Sequence, residues 1–234
     1  MNFKKLSVLF CSLLALTSVM AVSAAETETV SETEAASAEE STVSGADEET
    51  EYPITIQHAY GETVIESKPE RIATVDWENQ DTPLALGIAP VGVSAANYGM
   101  VTENNLHPWT DESFQELGVD APNVFDDVDG LDFEAISDCD PDVILASYSG
   151  LTQEDYDTLS QIAPVIPYKE NAWQTTWRDQ TIENAEGMGM KAEGEAKVAE
   201  VEQLIQDKLA NYPDLKGVKT AFCWINADDL SSFY

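Results

Sequence analysis

Residues 140–150 read DPDVILASYSG. Pro141 opens the stretch, an apolar run follows from Val143 to Ala146, and it stops at two serines, a tyrosine and a glycine. A short apolar run bounded by turn residues reads as a buried strand. The run shows no polar alternation, as expected of a strand covered on both faces, and such strands belong to parallel sheets.

The pattern recurs on both sides. Arg71–Asp76 (RIATVD) is an apolar run that ends at Trp77-Glu78-Asn79, Pro90–Ala95 (PVGVSA) ends at Asn97-Tyr98-Gly99, and Val165–Pro167 follows. Helical segments separate these runs. Thr82–Leu86 stops at Gly87, Asp132–Asp138 makes a helical turn, and Thr152 caps a helix running to Gln161, with Glu154 and Asp155 in its first turn where acids suit the helix dipole. Ahead of them, Ile54–Ala59 and Glu62–Glu66 flank Tyr60-Gly61 as a hairpin. Strands alternating with helices predict an α/β fold with a parallel sheet.

The character changes near Trp177. Residues 177–186 read as helix, and Gly187, Gly189 and Gly194 interrupt, so GMGMKA (187–192) reads as a hinge rather than a nucleotide-binding turn. Glu195–Ala210 has helical apolar spacing at Val198, Val201, Ile205 and Leu209. At 1.5 Å per residue it spans roughly 24 Å, the length of a strut. Lys219–Ile225 then reads as a further strand.

Charge excludes some partners. Of 234 residues, 44 are Asp or Glu and 11 are Lys or Arg, a net charge of −33. Phosphate backbones need clustered cations, so no nucleic acid is expected. Lys4-Lys5, the apolar run Leu6–Met20 and Val22-Ser23-Ala24-Ala25 have the layout of a secretory signal peptide over 1–25. Cys11 follows Phe10, which speaks against lipidation there. Residues 26–51 hold ten acids and no Lys or Arg, and read as an acidic disordered linker. The cysteines beyond the leader, Cys139 and Cys223, do not form a disulfide framework.

In open α/β sheets ligands bind outside the carboxyl ends of the strands. Trp77 and Asn79, Tyr98, and Tyr148 and Ser149 occupy three such ends, which a parallel sheet places on one edge. Aromatic residues there can equally just cover the sheet edge. His58 and His107 are isolated and do not form a metal site; no metal or cofactor is expected. Asp126, Asp127 and Asp129 read as a solvated loop run. There is no G-x-S-x-G, H-E-x-x-H or P-loop, and no enzyme activity is expected.

KPERIATVDWENQDTPLALGIAPVGVS (68–94), LDFEAISDCDPDVILAS (131–147), GLTQEDYDTLSQIAPVIPY (150–168) and the W-x-x-x-W pair Trp173/Trp177 together resemble the substrate-binding proteins of iron–siderophore ABC importers. This helical-backbone class of periplasmic binding proteins includes binders of ferric siderophores, haem and cobalamin. The resemblance implies two α/β lobes joined by one long helix, with ligand in the cleft. The expected domains are an N-terminal α/β lobe (52–170), a helical segment with the inter-lobe helix (171–213) and the first strand of a second lobe (214–234), the rest of that lobe lying outside the chain. The implied function is capture of a ferric siderophore outside the cytoplasm, in the periplasm or cell envelope, by a monomer that delivers it to an ABC permease. Iron enters only as part of the ligand. Rival readings are a haem or cobalamin cargo, an α/β enzyme whose active site lay in the other lobe, or a surface interaction module. A siderophore is bulky and already saturates its iron, so aromatic surface and a few donors suffice to bind it. The candidate ligand-binding residues are Trp77, Asn79, Tyr98, Tyr148, Ser149, Trp173 and Arg178. The resemblance makes Glu134 the permease-docking residue. Arg71, at the start of a strand, reads as structural.

Overall fold

The computed structural model describes residues 50–127, 129–221 and 223. The segment expected to be a signal peptide, Cys11, nearly all of the expected acidic linker and most of 214–234 beyond Lys219 lie outside the described residues. Of the strand expected over 219–225, the described positions 219–221 and 223 carry no strand.

An antiparallel hairpin, β1 (Ile54–His58) and β2 (Gly61–Ile65), precedes the main sheet. The sheet comprises β3 (Ile72–Thr74), β4 (Gly92–Ser94), β5 (Val124–Phe125), β6 (Val143–Ala146) and β7 (Val165–Pro167). Every pairing in it is parallel, and the spatial order is β5-β4-β3-β6-β7. The helices are α1 (Asp81–Ala85), α2 (Pro108–Glu116), α3 (Phe133–Asp138), α4 (Gln153–Leu159), α5 (Trp177–Gly187) and α6 (Lys191–Ala210). From β3 the chain steps outward to β4 and β5, then returns to place β6 on the other side of β3. The order therefore reverses between β3 and β6, and a crevice opens beyond the carboxyl ends of strands at such a point.

The apolar run of β6 is explained by what lies on each side of it. Ile144 and Ala146 pack with Phe125, Ile136, Leu151 and Leu159 on the α3–α4 face. Val143 and Leu145 pack with Ile56, Ile65, Ile166 and Met188 on the other. All four β6 residues are completely buried. Thr152 caps α4 through a reciprocal capping box with Asp155, and the Asp132 side chain caps α3 by accepting from Ala135 N–H at 3.0 Å.

Two elements were not expected. α2 carries only Thr110, Asp111 and Phe114 as buried residues, so its amphipathic signal is thin. β5 has only two residues. The reading of Gly194 as an interruption is corrected: it lies inside the 20-residue α6. A Cβ there would sit 2.5 Å from the Ala185 Cβ, so the glycine lets α5 and α6 approach closely. The strut is thus longer than expected, about 30 Å. Only Gly194 and Val198 of α6 are buried, while Ile205 and Leu209, expected to be apolar-face residues, are exposed. Cys139 and Cys223 are free.

Candidate functional site

The crevice between β3 and β6 is bordered by the loops that follow those strands, and buried polar groups lock the two loops together. Asn79 donates from Nδ2 to the Val75 carbonyl at 2.8 Å and to the Tyr148 carbonyl at 3.0 Å. Its Oδ1 accepts from Tyr148 N–H at 3.2 Å and from Asn184 Nδ2 at 3.0 Å. Asp76 ties in the neighbouring tips. Its carboxylate accepts from Gly150 N–H at 3.0 Å, its own N–H donates to Ser94 Oγ at 2.9 Å, and Ser94 Oγ in turn donates to Asp127. One network therefore joins the ends of β3, β4 and β6 to the residues just past β5.

On this frame stand aromatic side chains. Trp77 and Tyr98 stack with centroids 6.4 Å apart and planes 25° from parallel. Trp173 meets Trp77 edge-on at 6.3 Å and Tyr148 edge-on at 5.4 Å. Trp77, Tyr98 and Trp173 are 43%, 62% and 46% exposed. Rings of this size usually bury their faces, so together they form an apolar surface with no covering element among the described residues. Asp76, Glu78 and Trp173 adopt left-handed backbone, with φ of 60°, 57° and 60°. That conformation is costly for side chains of their size and concentrates at functional sites. Trp173 is held by its own N–H donating to the Ser149 carbonyl at 3.1 Å, and its ring lies over Gly150, where a Cβ would come within 2.5 Å of it. Gly150 is thus required by the close approach of an indole, whereas Gly99 is favoured by its left-handed backbone, φ 81°.

Beside the rings lies a cavity of about 300 Å³, lined by Trp77, Glu78, Tyr98, Met100, His107 and Trp109 among others. His107 stacks on Trp109 at 4.4 Å, and its Nε2 lies 3.2 Å from Glu78 Oε1 while its Nδ1 lies 3.2 Å from the Met100 carbonyl. The lining holds Asp76 and Glu78 and no Lys or Arg. Loss of hydration pushes the Asp76 carboxyl up to about 6, an effect strengthened by Asp127 and partly offset by the Gly150 N–H. Asp127 is raised as well, again chiefly by burial. No group of three His, Cys, Asp or Glu suited to a metal ion occurs among the described residues.

The structure thus brings Trp77, Tyr98, Tyr148 and Trp173 together, with Asn79 and Ser149 buried in the loops that carry them and Arg178 on α5. Asn79 is fully buried with all of its polar atoms engaged, so it is a scaffold residue and not a donor to ligand. Ser149 is likewise fully buried, which corrects its reading as a ligand contact. Arg178 lies over the ring of Trp177 at 4.4 Å and pairs with Glu202 of α6 at 2.5 Å, so it braces the two helices instead of facing the rings. Glu134 is exposed on α3. His107 and Trp109 were missed as pocket residues. The signal was Pro108, a favoured first helical residue, which starts α2 beneath them.

A five-stranded parallel sheet with helices on its faces and an aromatic crevice at the strand-order reversal defines an open α/β lobe. The chain belongs to the periplasmic binding protein family, whose model matches residues 72–234. The structure of PiaA from Streptococcus pneumoniae TIGR4 in complex with ferrichrome is similar, with 50% identity and a TM-score of 0.71 over 77% of this chain and 60% of that one. Two Bacillus subtilis proteins are similar in sequence. The probable siderophore-binding lipoprotein YfiY is 26% identical over 87% of this chain and 55% of its own length. The putative ABC transporter substrate-binding lipoprotein YhfQ is 27% identical over 71% of this chain and 49% of its own. The chain spans about half the length of these curated relatives.

Proposed function

We propose that this protein is an extracytoplasmic solute-binding protein that captures a ferric siderophore and delivers it to an ABC importer. The observation that carries the reading is the aromatic surface of Trp77, Tyr98, Trp173 and the half-buried Tyr148, assembled at the carboxyl edge of the sheet by four separate loops. Aromatic faces suit a bulky, oxygen-rich complex that needs no further metal ligand from the protein. The ferrichrome complex of PiaA and the siderophore-binding name of YfiY support the same cargo class. The acids Asp76 and Glu78, with no cation in the lining, favour a ferric complex without net negative charge over an anionic one. Glu134 is the residue proposed to meet the permease, and the protein acts as a monomer without catalysis. A haem cargo would want an axial His or Tyr; both ring nitrogens of His107 already face partners, which leaves the tyrosines, so haem serves as a control ligand in the titration.

Titration of intrinsic tryptophan fluorescence with ferrichrome, ferric citrate, a ferric catecholate, haem and cobalamin tests the reading. Saturable quenching by ferrichrome, weaker for the anionic complexes, is the expected result. Binding of haem or cobalamin alone, or of no ferric siderophore, overturns it.

A further inference from the structure

A second cavity, of about 340 Å³, adjoins the segment that carries Trp173. Its lining includes Lys169, just past β7, Asn171, Gln174 and Thr175 from the connecting segment, and Asp179 and Glu183 from α5. Glu183 is only 3% exposed. Its Oε1 lies 3.2 Å from Lys169 Nζ, while its Oε2 is buried and has no hydrogen-bond partner. Leaving a buried carboxylate oxygen unmatched is costly, and proteins rarely do so without reason. Burial raises the Glu183 carboxyl and Lys169 opposes that rise. Glu170 also lines the cavity, so three carboxylates stand against one ammonium.

We propose that this cavity is a second subsite, which takes a protonated primary amine. An ammonium has three donors and no acceptor. The lining residues carry the Glu183 and Asp179 carboxylates and the amide oxygens of Asn171 and Gln174 as acceptors, and a small turn of the Glu183 carboxylate would present its unmatched oxygen. A neutral hydroxyl supplies one donor and leaves the excess negative charge in place. A carboxylate would add to it. Residues 169–175 serve both places, since Trp173 joins the aromatic surface while Thr175 donates to the Ser147 carbonyl at 2.6 Å and lines the polar cavity. An iron chelate seated on the rings therefore has the cavity within reach of an amine-bearing arm. That last step rests on the siderophore reading; the subsite itself does not.

The first test uses propylammonium, with propanol and propionate as controls, against the ¹⁵N-labelled chain. Saturable shifts of the Asn171 and Gln174 side-chain amides by propylammonium alone are expected, with affinity in the millimolar range that so small a ligand allows. Glu183→Gln, which keeps the shape and removes the charge, should weaken binding about tenfold. Gln174→Ala, at an exposed position, gives a second variant that should weaken it without threatening the fold. Equal shifts by propanol, or none by propylammonium, overturn the proposal. The second test compares ferrioxamine B, which ends in a free primary amine, with its N-acetylated form. Acetylation should weaken binding about tenfold, and equal binding of the two forms overturns the link between arm and subsite. Failure of ferrichrome and the other ferric siderophores as well as both ferrioxamine forms, alongside a positive propylammonium result, overturns the siderophore reading and leaves the amine subsite standing.

Discussion

The two edges of the same sheet are built differently. At the amino edge, polar groups close on one another. Asp142 accepts from the N–H groups of Glu70 and Arg71 at 2.8 and 2.9 Å, and the Arg71 side chain donates to the carbonyls of Asp140 and Cys139. The guanidinium ties the α3–β6 turn to the start of β3, as its reading as a structural residue anticipates. At the carboxyl edge the polar groups also bond to one another, but beneath a layer of exposed rings. Left-handed backbone occurs at both edges, since Asp140 has φ 48° alongside Asp76, Glu78 and Trp173. Strain alone therefore does not mark the site. What separates the edges is apolar area left in water: burial is worth about 25 cal/mol per Å², and an edge that forgoes it on several aromatic rings would make that free energy available to the ligand proposed above.

The largest effect expected from breaking this contrast is at Asn79, which ties the rings' scaffold to the core. Asn79→Ala strands buried partners on Tyr148 and Asn184, and should cost about 2–4 kcal/mol in denaturant-derived stability. It should also abolish ligand binding by loosening both loops. Trp77→Ala separates binding from folding. The ring is 43% exposed, so stability should hold to within about 0.5 kcal/mol while siderophore binding weakens by roughly 1–3 kcal/mol, as read by titration.

Asp76 sets a pH signature. Its folded pKa of about 6 lies above the ordinary 3.8, so the native state binds the proton more tightly than the unfolded chain. Stability should therefore fall as pH rises from about 4 to 6 and change no further from this group above that, by roughly 1–3 kcal/mol in all. Asp76→Asn should flatten that portion of the profile in denaturant melts at pH 4.5 and 7, and a wild-type-like slope in the variant would assign the dependence elsewhere. The smallest effect is on the other edge. Arg71→Ala removes two side-chain bonds at a site of mostly exposed partners and should cost about 1 kcal/mol, with ligand affinity unchanged.

Much of the architecture was readable because it depends on local chemistry. β6 and β7 fall on their expected residues since each is an apolar run closed by turn formers, and the Thr152 cap is written in the side chains that make it. α2 and β5 were not readable: one buries a single large apolar side chain, Phe114, and the other is too short to show a period. At the site, the strand-end aromatics were visible as residue types, but the roles of the polar candidates were not. An amide at a strand end reads alike whether it faces solvent or braces a neighbouring loop, and only the strand order reveals that Asn79 meets Tyr148. Arg178 pairs with Glu202, 24 positions on, because α6 folds back along α5, a contact no local pattern encodes.

The central claim is that the carboxyl edge is the ligand face. The most direct measurement titrates the ¹⁵N-labelled chain with the gallium(III) analogue of ferrichrome, which is diamagnetic and carries the same ionic charge. The account predicts saturable shifts of the Trp77, Trp109 and Trp173 indole N–H resonances, with the backbone amides of Arg71 and Asp142 unmoved. Shifts confined to the amino edge, or a complex that forms without moving those three indoles, would contradict it.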